Sequence, residues 1–351
     1  MNRPNKFAVG LRPTIHDVAQ AARVSLATVD RVLNGRNGVR SATRDRVLAA
    51  VESVGYERDV AAANLSKRRE YRVHFVLPAG PNSFMRGIEE EVTALCGPAR
   101  QDRVQLSLET VPAFDAPRLA AALQAIDLKH VDGLAVVATD APIVREALDC
   151  LVARGLPVVT LVSDVPSSRR GHFVGIDNVT AGRTAAGLLG RFCHDRPGDL
   201  AVVAGSSLVR DHVERRLGFE QVIRTEYQQL RVLPSIEGLD DPDLVDALLS
   251  DLLSQNPAIV GIYSLGAGTR GVSRALARVG LARRPWTVVH ELTAHARQEL
   301  QSGVFDAVIN QDIGHEVRSA IRVLKARIDG RGFVPAQERI RIDVFLRDNI
   351  P

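Results

Sequence analysis

The chain of 351 residues is 45% apolar and 25% charged, an ordinary globular composition, and is long enough for two or three domains. No apolar run approaches the ~20 residues of a membrane helix, and the N-terminal MNRPNKFAVGLRP lacks the apolar core of a secretory signal. A cytoplasmic protein with no membrane partner is therefore expected. The net charge of +4 is unevenly placed: residues 1–70 hold 13 Lys and Arg against 7 Asp and Glu, and the remainder holds 32 against 34. A positive excess confined to one end suits a polyanionic partner and salt-sensitive binding.

The first predicted elements are two short helices, 16–22 and 26–33, separated by Arg23, Val24 and Ser25. That gap is the spacing of a helix-turn-helix. Ser25 is placed to cap the second helix, and Asn34-Gly35 to end it. Ile15, Val18, Ala19, Val24, Val29 and Val32 can form one small core, which leaves Leu26, Ala27, Thr28, Asp30 and Arg31 facing outward. The N-terminal residues of such a second helix meet base edges in the major groove of double-stranded DNA. Arg31 suits a guanine or a phosphate, Leu26 and Ala27 suit thymine methyls, and Thr28 suits a phosphate. A third helix at 42–53 is expected to bury Val47, Leu48, Val51 and Val54, with Gly55-Tyr56 closing it. Residues 60–65 read as a very short apolar helix, marginal in isolation.

Beyond residue 70, strand-like apolar runs alternate with helical patterns, the signature of parallel βαβ units. The strands are expected at 73–77, 104–108, 133–137, 158–161, 173–176, 200–204, 231–234, 259–264, 286–290 and 307–309, with helices such as 84–95, 118–126, 142–154, 180–193 and 244–255 between them. Crossings near 176–178 and 310–312 would divide the series into two doubly wound subdomains, with a last strand at 338–346 returning once more. Ligands bind outside the carboxyl ends of such strands, so the polar residues that follow each strand are the candidates.

The first segment resembles the DNA-binding head of the LacI family of bacterial regulators. The resemblance lies in IHDVA, VS-x-x-TV-x-RVLNG, T-R-x-x-V and the Gly-Tyr followed by A-x-x-L. It departs from the family where Arg23 replaces the Gly of the turn, Asp30 replaces a Ser, and Arg58-Asp59 replaces Pro-Asn. The later segment, through GIDN-x-x-AGRTAA, RRLGF, VHELT and AVINQD, is similar to the periplasmic sugar-binding-protein fold that serves as the family's effector domain. The resemblance implies three parts: an all-α head at 13–58, a hinge at 59–71, and an α/β effector and dimerisation domain at 72–349. The last would comprise subdomains of about 72–176 with 312–325, and 177–309. It further implies DNA contacts at Thr14, Ser25, Leu26, Ala27, Thr28, Arg31, Asn34, Tyr56, Ala62 and Leu65, with Leu65 wedging into a minor-groove step. An effector contact set of Asn82, Phe84, Ser163, Asp164, Arg215, Ser264, Glu291 and Gln311 follows in the same way. Arg215, three residues before Gly218-Phe219, would bind ligand hydroxyls or carboxylate, and Phe84 would stack on a sugar ring. Where several sugar binders carry Asp-Arg this chain has Val162-Ser163, and Asp164 is the substitute. The expected function is a repressor of transcription. It would act as a homodimer, the tetramer being the alternative, and be controlled by a small sugar, polyol or sugar acid.

The alternative is a nicotinamide-dinucleotide-sensing regulator or a dehydrogenase. Gly266, Gly268 and Gly271 form GxGxxG between a strand and a helix, and Glu291 follows twenty residues later, as in a dinucleotide fingerprint. Against it, the motif lies late in the βα series. No H-E-x-x-H or G-x-S-x-G pattern supports an enzyme, and Cys96, Cys150 and Cys193 lack metal-ligand spacing. No cofactor or metal is expected, and the three thiols are expected to be reduced and mostly buried.

Overall fold

A computed structural model describes residues 13–33, 35–56, 69–279 and 284–351. The chain divides into two compact units, 1–69 and 70–351.

The first unit contains helices α1 (Ile15–Ala22), α2 (Leu26–Leu33) and α3 (Ser41–Val54). The α1 start is tied by Asp17, whose carboxylate accepts from the Thr14 amide at 2.7 Å and from its hydroxyl at 2.8 Å. The Ser25 hydroxyl accepts the Thr28 amide at 3.2 Å, a cap for α2. Val18, Ala19, Ala22, Val29, Val32, Val47 and Ala50 make the buried core. Leu48 does not join it: the side chain is 47% exposed, because the turn of α3 gives the inner position to Val47 and Ala50. Arg23 sits in the left-handed region at φ 52°, ψ 50°. That geometry explains why a glycine suits this turn and makes Arg23 a strained occupant.

The second unit has two lobes. The first is a parallel sheet in the order β2-β1-β3-β4-β5, built from β1 (Tyr71–Ala79), β2 (Val104–Pro112), β3 (Gly133–Val136), β4 (Val158–Leu161) and β5 (His172–Val174). Around it lie α4 (Ser83–Gln101), α5 (Ala116–Ala125) and α6 (Pro142–Ala153). The second lobe has the order β12-β11-β10-β9-β6-β7, with β8 beside β6. Its strands are β6 (Gly198–Ala204), β7 (Leu230–Val232), β8 (Ile236–Glu237), β9 (Ile259–Ser264), β10 (Trp286–His290), β11 (Ala307–Asn310) and β12 (Asp343–Phe345). Its helices are α7 (Asn178–Phe192), α8 (Arg210–Glu226), α9 (Pro242–Gln255), α10 (Thr269–Val279) and α11 (Ala294–Ser302). Helix α12 (Ile313–Ile328) returns to the first lobe and packs on β3, β4 and β5.

Both upward crossings end in an Asp that caps the next helix: Asp177 accepts from the Thr180 amide and Asp312 from the His315 amide. A short cap here lets the chain pass from strand to helix through only three and two residues respectively. The third crossing ends in β12, antiparallel to β11 and only three residues long, much shorter than the 338–346 run. The run expected at 231–234 is likewise cut short: β7 ends at Val232, and Pro234, which has no amide to donate, separates it from β8.

Two glycines set the contact between α7 and α8. A Cβ on Gly182 would lie 1.8 Å from the Arg215 carbonyl oxygen, and one on Gly218 would lie 2.0 Å from that of Val179. The helices approach backbone to backbone, which fixes where Arg215 starts its reach.

Candidate functional site

Eight of the twelve strands of the second unit end at one cleft. Its lining comes from the carboxyl ends and the segments just past them: Pro78–Met85 at and after the end of β1, Ala113 and Phe114 after β2, Val137–Thr139 after β3, and Val162 and Ser163 after β4. The opposite wall carries Asp211, His212 and Arg215 from α8, Leu239 and Asp240 after β8, 266–270 after β9, Glu291 after β10, and Gln311 after β11. The space amounts to about 1100 Å³ with its open mouth included. Apolar walls with a few placed polar groups are what small-molecule sites offer.

The strain of the backbone is concentrated here. Phe114, Val162, Leu239, Asp240 and Glu291 all have φ between 48° and 68° and all line the cleft. Non-glycine residues hold such conformations only where the surroundings enforce them, commonly at ligand sites.

Arg215 is 2% exposed. Its Nε donates to Asn178 Oδ1 at 2.8 Å and its Nη1 to the Leu265 carbonyl at 2.9 Å, while Nη2 lies 3.6 Å from Glu291 Oε1. Gln311 Nε2 donates to the same Glu291 oxygen at 2.8 Å. Burial pushes the Glu291 carboxyl up to about 7, against the pull of Arg215 and Gln311. Behind it, the Glu316 carboxyl in the first turn of α12 is fully buried, and neither oxygen has a hydrogen-bond partner among the described residues. Burial first, then the neighbouring Glu291, holds Glu316 well above the usual carboxylate range. Beneath the wall, Phe219 stacks on Tyr263 with ring centres 4.6 Å apart, and the Tyr263 hydroxyl meets His290 Nε2 at 2.8 Å. Burial keeps that imidazole neutral, well below the ordinary histidine value.

The two lobes meet across the mouth. Asn82 Nδ2 donates to Asp240 Oδ2 at 2.8 Å, and Arg210 Nη1 lies 3.8 Å from Asp140 Oδ2. Burial raises the Asp240 carboxyl, opposed by His212 and the Asn82 hydrogen bond. Among the described residues, Ser163 Oγ, Arg215 Nη2, Asp240 Oδ1, His290 Nδ1 and Gln311 Oε1 are buried without a hydrogen-bond partner, and all five residues line the cleft. Orphaned polar atoms cost free energy unless something pairs with them.

The structure thus gathers Asn82, Phe84, Ser163, Arg215, Glu291 and Gln311 on one cleft. Two expected contacts are not on it. Asp164 turns away, taking both the Arg170 guanidinium and the Thr160 hydroxyl, so it cannot stand in for the missing Asp-Arg pair. Ser264 is wholly buried at the end of β9, outside the lining. Sequence reasoning missed Asp211, His212 and Asp240. The first two lie four and three residues before Arg215, hence on its helix face, a spacing that was available. Asp240 was hidden because two-residue β8 gives no strand pattern.

In the head, Leu26 and Ala27 are exposed, as is Arg31, with Thr28 partly so. Asp30 lies 3.4 Å from Arg36, an exposed ion pair. Thr14 and Ser25 hold helix starts through the bonds above. Tyr56 is partly buried against the head core. Asn34, Ala62, Leu65 and the 59–68 part of the expected hinge lie outside the described residues. Cys193 is buried, with its thiol pushed up to about 11 by burial, whereas Cys96 is partly and Cys150 openly accessible, so the thiols are less buried than expected.

The glycines of the GxGxxG run are accounted for by packing. A Cβ on Gly266 would lie 2.6 Å from His212 Nε2, and one on Gly271 would lie 2.2 Å from the Pro242 carbonyl. Glu291, the candidate ribose ligand, is engaged with Arg215 and Gln311.

A helix-turn-helix head and a two-lobed α/β body with an interlobe cleft, on one chain, define a ligand-binding fold joined to a DNA-reading module. The family described as "Periplasmic binding protein domain" matches residues 73–332, and "Bacterial regulatory proteins, lacI family" matches residues 14–59. The chain belongs to the lacI family of bacterial regulatory proteins, with a periplasmic-binding-protein domain as its body. It is 30% identical over 192 residues to the HTH-type transcriptional regulator pepR1 of Lactobacillus delbrueckii subsp. lactis, covering 55% of each chain. It is 26% identical over 253 residues to the regulator GalS of Salmonella typhimurium, covering 72% of this chain and 71% of that one. The matched region thus spans about half the length of pepR1 and less of several other relatives. By fold, the body is similar to GanP, a glucose-galactose binding protein of Geobacillus stearothermophilus. The TM-score is 0.71 at 19% identity over 81% of this chain and 99% of that one. A putative LacI transcriptional regulator of Bacteroides fragilis gives 0.70 at 15% identity over 80% and 98%. These relatives favour the regulator over the dinucleotide reading.

Proposed function

We propose that this chain is a sequence-specific, DNA-binding repressor of transcription whose operator affinity is set by a small polyhydroxylated effector in the interlobe cleft. The observation that carries the reading is the cluster of five orphaned polar atoms in a cleft whose chain also bears an exposed recognition-helix face. GanP is named for binding glucose and galactose, and another similar structure, a solute-binding protein from Burkholderia graminis, holds D-arabinose; both lend the cleft a sugar-like ligand.

Thr14, Ser25, Leu26, Ala27, Thr28 and Arg31 form the DNA face of the head, with Asn34, Tyr56, Ala62 and Leu65 as further contacts. In the cytoplasm, a homodimer would set two heads on a palindromic operator, since a two-fold protein suits a two-fold site. The effector acts by binding one arrangement of the lobes more tightly than the other; only such a difference in affinity shifts an equilibrium.

The test selects duplex DNA on the full chain from a random library and then measures affinity for the winner with and without sugars. The expected result is a palindromic site whose affinity changes in the presence of one sugar and does not change in Arg215→Ala. A protein with no preferred sequence sinks the proposal.

A further inference from the structure

The charges that line the cleft are unbalanced. Arg215 is the one buried arginine or lysine of the wall among the described residues, and it already faces Glu291 at 3.6 Å, with Gln311 bonded to that same carboxylate; the His212 imidazole lies 3.7 Å from Asp211. Asp211 and Asp240 are 6% and 7% exposed and line the same space. Arg270 also lines it, but from an exposed position. The imidazole of His290 is kept neutral by burial. A ligand therefore meets three carboxyl groups on its polar wall and a guanidinium whose charge is already answered.

The orphaned atoms ask for a particular functional group. Gln311 Oε1 accepts only, as does Asp240 Oδ1 when ionised; Arg215 Nη2 donates only, Ser163 Oγ does either, and His290 Nδ1 donates or accepts according to its tautomer. A carboxylate or phosphate can serve Arg215 but sets an acceptor against Asp240 and Gln311. An ammonium can serve the acceptors but sets a cation against Arg215. A hydroxyl both donates and accepts, so several on one carbon frame satisfy every orphan with one kind of group. Phe84 and Phe114 close the first-lobe wall with apolar surface that suits a ring's C–H face.

We propose that the effector is an uncharged polyhydroxylated molecule, and that Glu291 is the specificity-determining residue that excludes ligands bearing a carboxylate or phosphate. The proposal rests on the reading of the cleft as the effector site. Glu291 works by holding the Arg215 charge that an anion would otherwise claim, and by standing as a like charge beside it. Exclusion of this kind is specificity built from repulsion. Sugar acids, which the arginine alone would welcome, are thereby removed from the candidate set.

The experiment measures binding by thermal shift and calorimetry on the full chain at pH 8, above the Glu291 value of about 7. The probes are matched sets on one frame: D-galactose, galactitol, D-galacturonate and galactose 6-phosphate, with the corresponding glucose, mannose and arabinose sets and myo-inositol. The expected result is that uncharged members bind, and that the acid and phosphate of the same frame bind weaker by about tenfold or more, as one like-charge contact suffices to give. In Glu291→Gln that gap narrows by about tenfold, because Arg215 is released to the anion. A wild-type protein that binds an acid or phosphate as well as its uncharged counterpart overturns the proposal and leaves the cleft as the effector site. So does a Glu291→Gln protein that loses both kinds in parallel. Binding of no probe overturns the proposal and the cleft reading together. The wild-type comparison decides the ligand class by itself should Glu291→Gln not fold.

Discussion

Asn82 and Asp240 join the two lobes: the amide of one donates to the carboxylate of the other at 2.8 Å across the mouth of the cleft. Asn82 performs a second task in the same position, since its Oδ1 accepts the amides of Phe84 and Met85 and caps α4. Substitution separates the two roles. Asn82→Asp keeps an acceptor for the helix cap but sets a carboxylate against Asp240, whereas Asn82→Ala loses both. Asn82→Asp is expected to unfold near the wild-type temperature and to bind effector more weakly. Asn82→Ala is expected to lose about 1 kcal/mol of stability as well. Calorimetry and effector titration on both variants check this, and equal affinity in Asn82→Asp and wild type would show that the bridge does not help closure.

The reach of Arg215 depends on residues that never touch a ligand. Gly218→Ala would put a methyl 2.0 Å from the Val179 carbonyl and force α7 and α8 apart. We expect it to destabilise the protein by about 1–3 kcal/mol, the usual range for overpacking, and to weaken effector binding. Gly187, on the facing helix α7, has room for a Cβ, with nothing within 4 Å, and is the control: Gly187→Ala should be neutral or stabilising. Similar losses in both would discredit the close-packing argument.

Arg23 occupies a left-handed position at φ 52° that favours glycine. Arg23→Gly should relieve about 1 kcal/mol of strain in the head. Hydrogen exchange on the full chain reads this as slower exchange of α1 and α2 amides by about fivefold. Faster exchange in the variant would mean that Arg23 makes contacts worth more than the strain.

Glu316 gives a pH dependence. Its folded value is raised above the ordinary 4.5, so its contribution to stability is fully present below that value and is lost as pH rises through the folded one. Glu291, raised to about 7, adds a decline between 4.5 and about 7. Glu316→Gln has no proton to lose at 316 and keeps only the Glu291 part. The melting temperature of the variant minus that of the wild type should therefore increase as the pH is raised from 5 to 9. A difference that stays flat would show that the buried carboxyl titrates alike in both states.

The head was legible because its information is local. Helix periodicity, a three-residue gap and a capping Ser25 lie within one short stretch, and short-range hydrogen bonds enforce them. The exception was Leu48, since which of two adjacent apolar residues turns inward depends on how α3 packs. The βα alternation of the body was legible for the same reason, and runs such as 259–264 were readable because a buried parallel strand must be apolar on both faces.

The sequence by itself determined the kind of protein: a DNA-reading head, its positive charge, and a doubly wound body with polar residues after its strands. Only the tertiary structure decided which of those residues share a cleft. Asp164 follows a strand as Ser163 and Gln311 do, and Ser264 ends one, yet Asp164 is taken by Arg170 and Ser264 is sealed in the core. Asp240 follows a strand too short to see, and bonds to Asn82 from 158 residues away. The meeting of Arg215, Glu291 and Gln311 likewise depends on a glycine contact between two helices and on two separate strand ends. Strand periodicity is a property of neighbours in the chain, whereas charge balance is a property of neighbours in space.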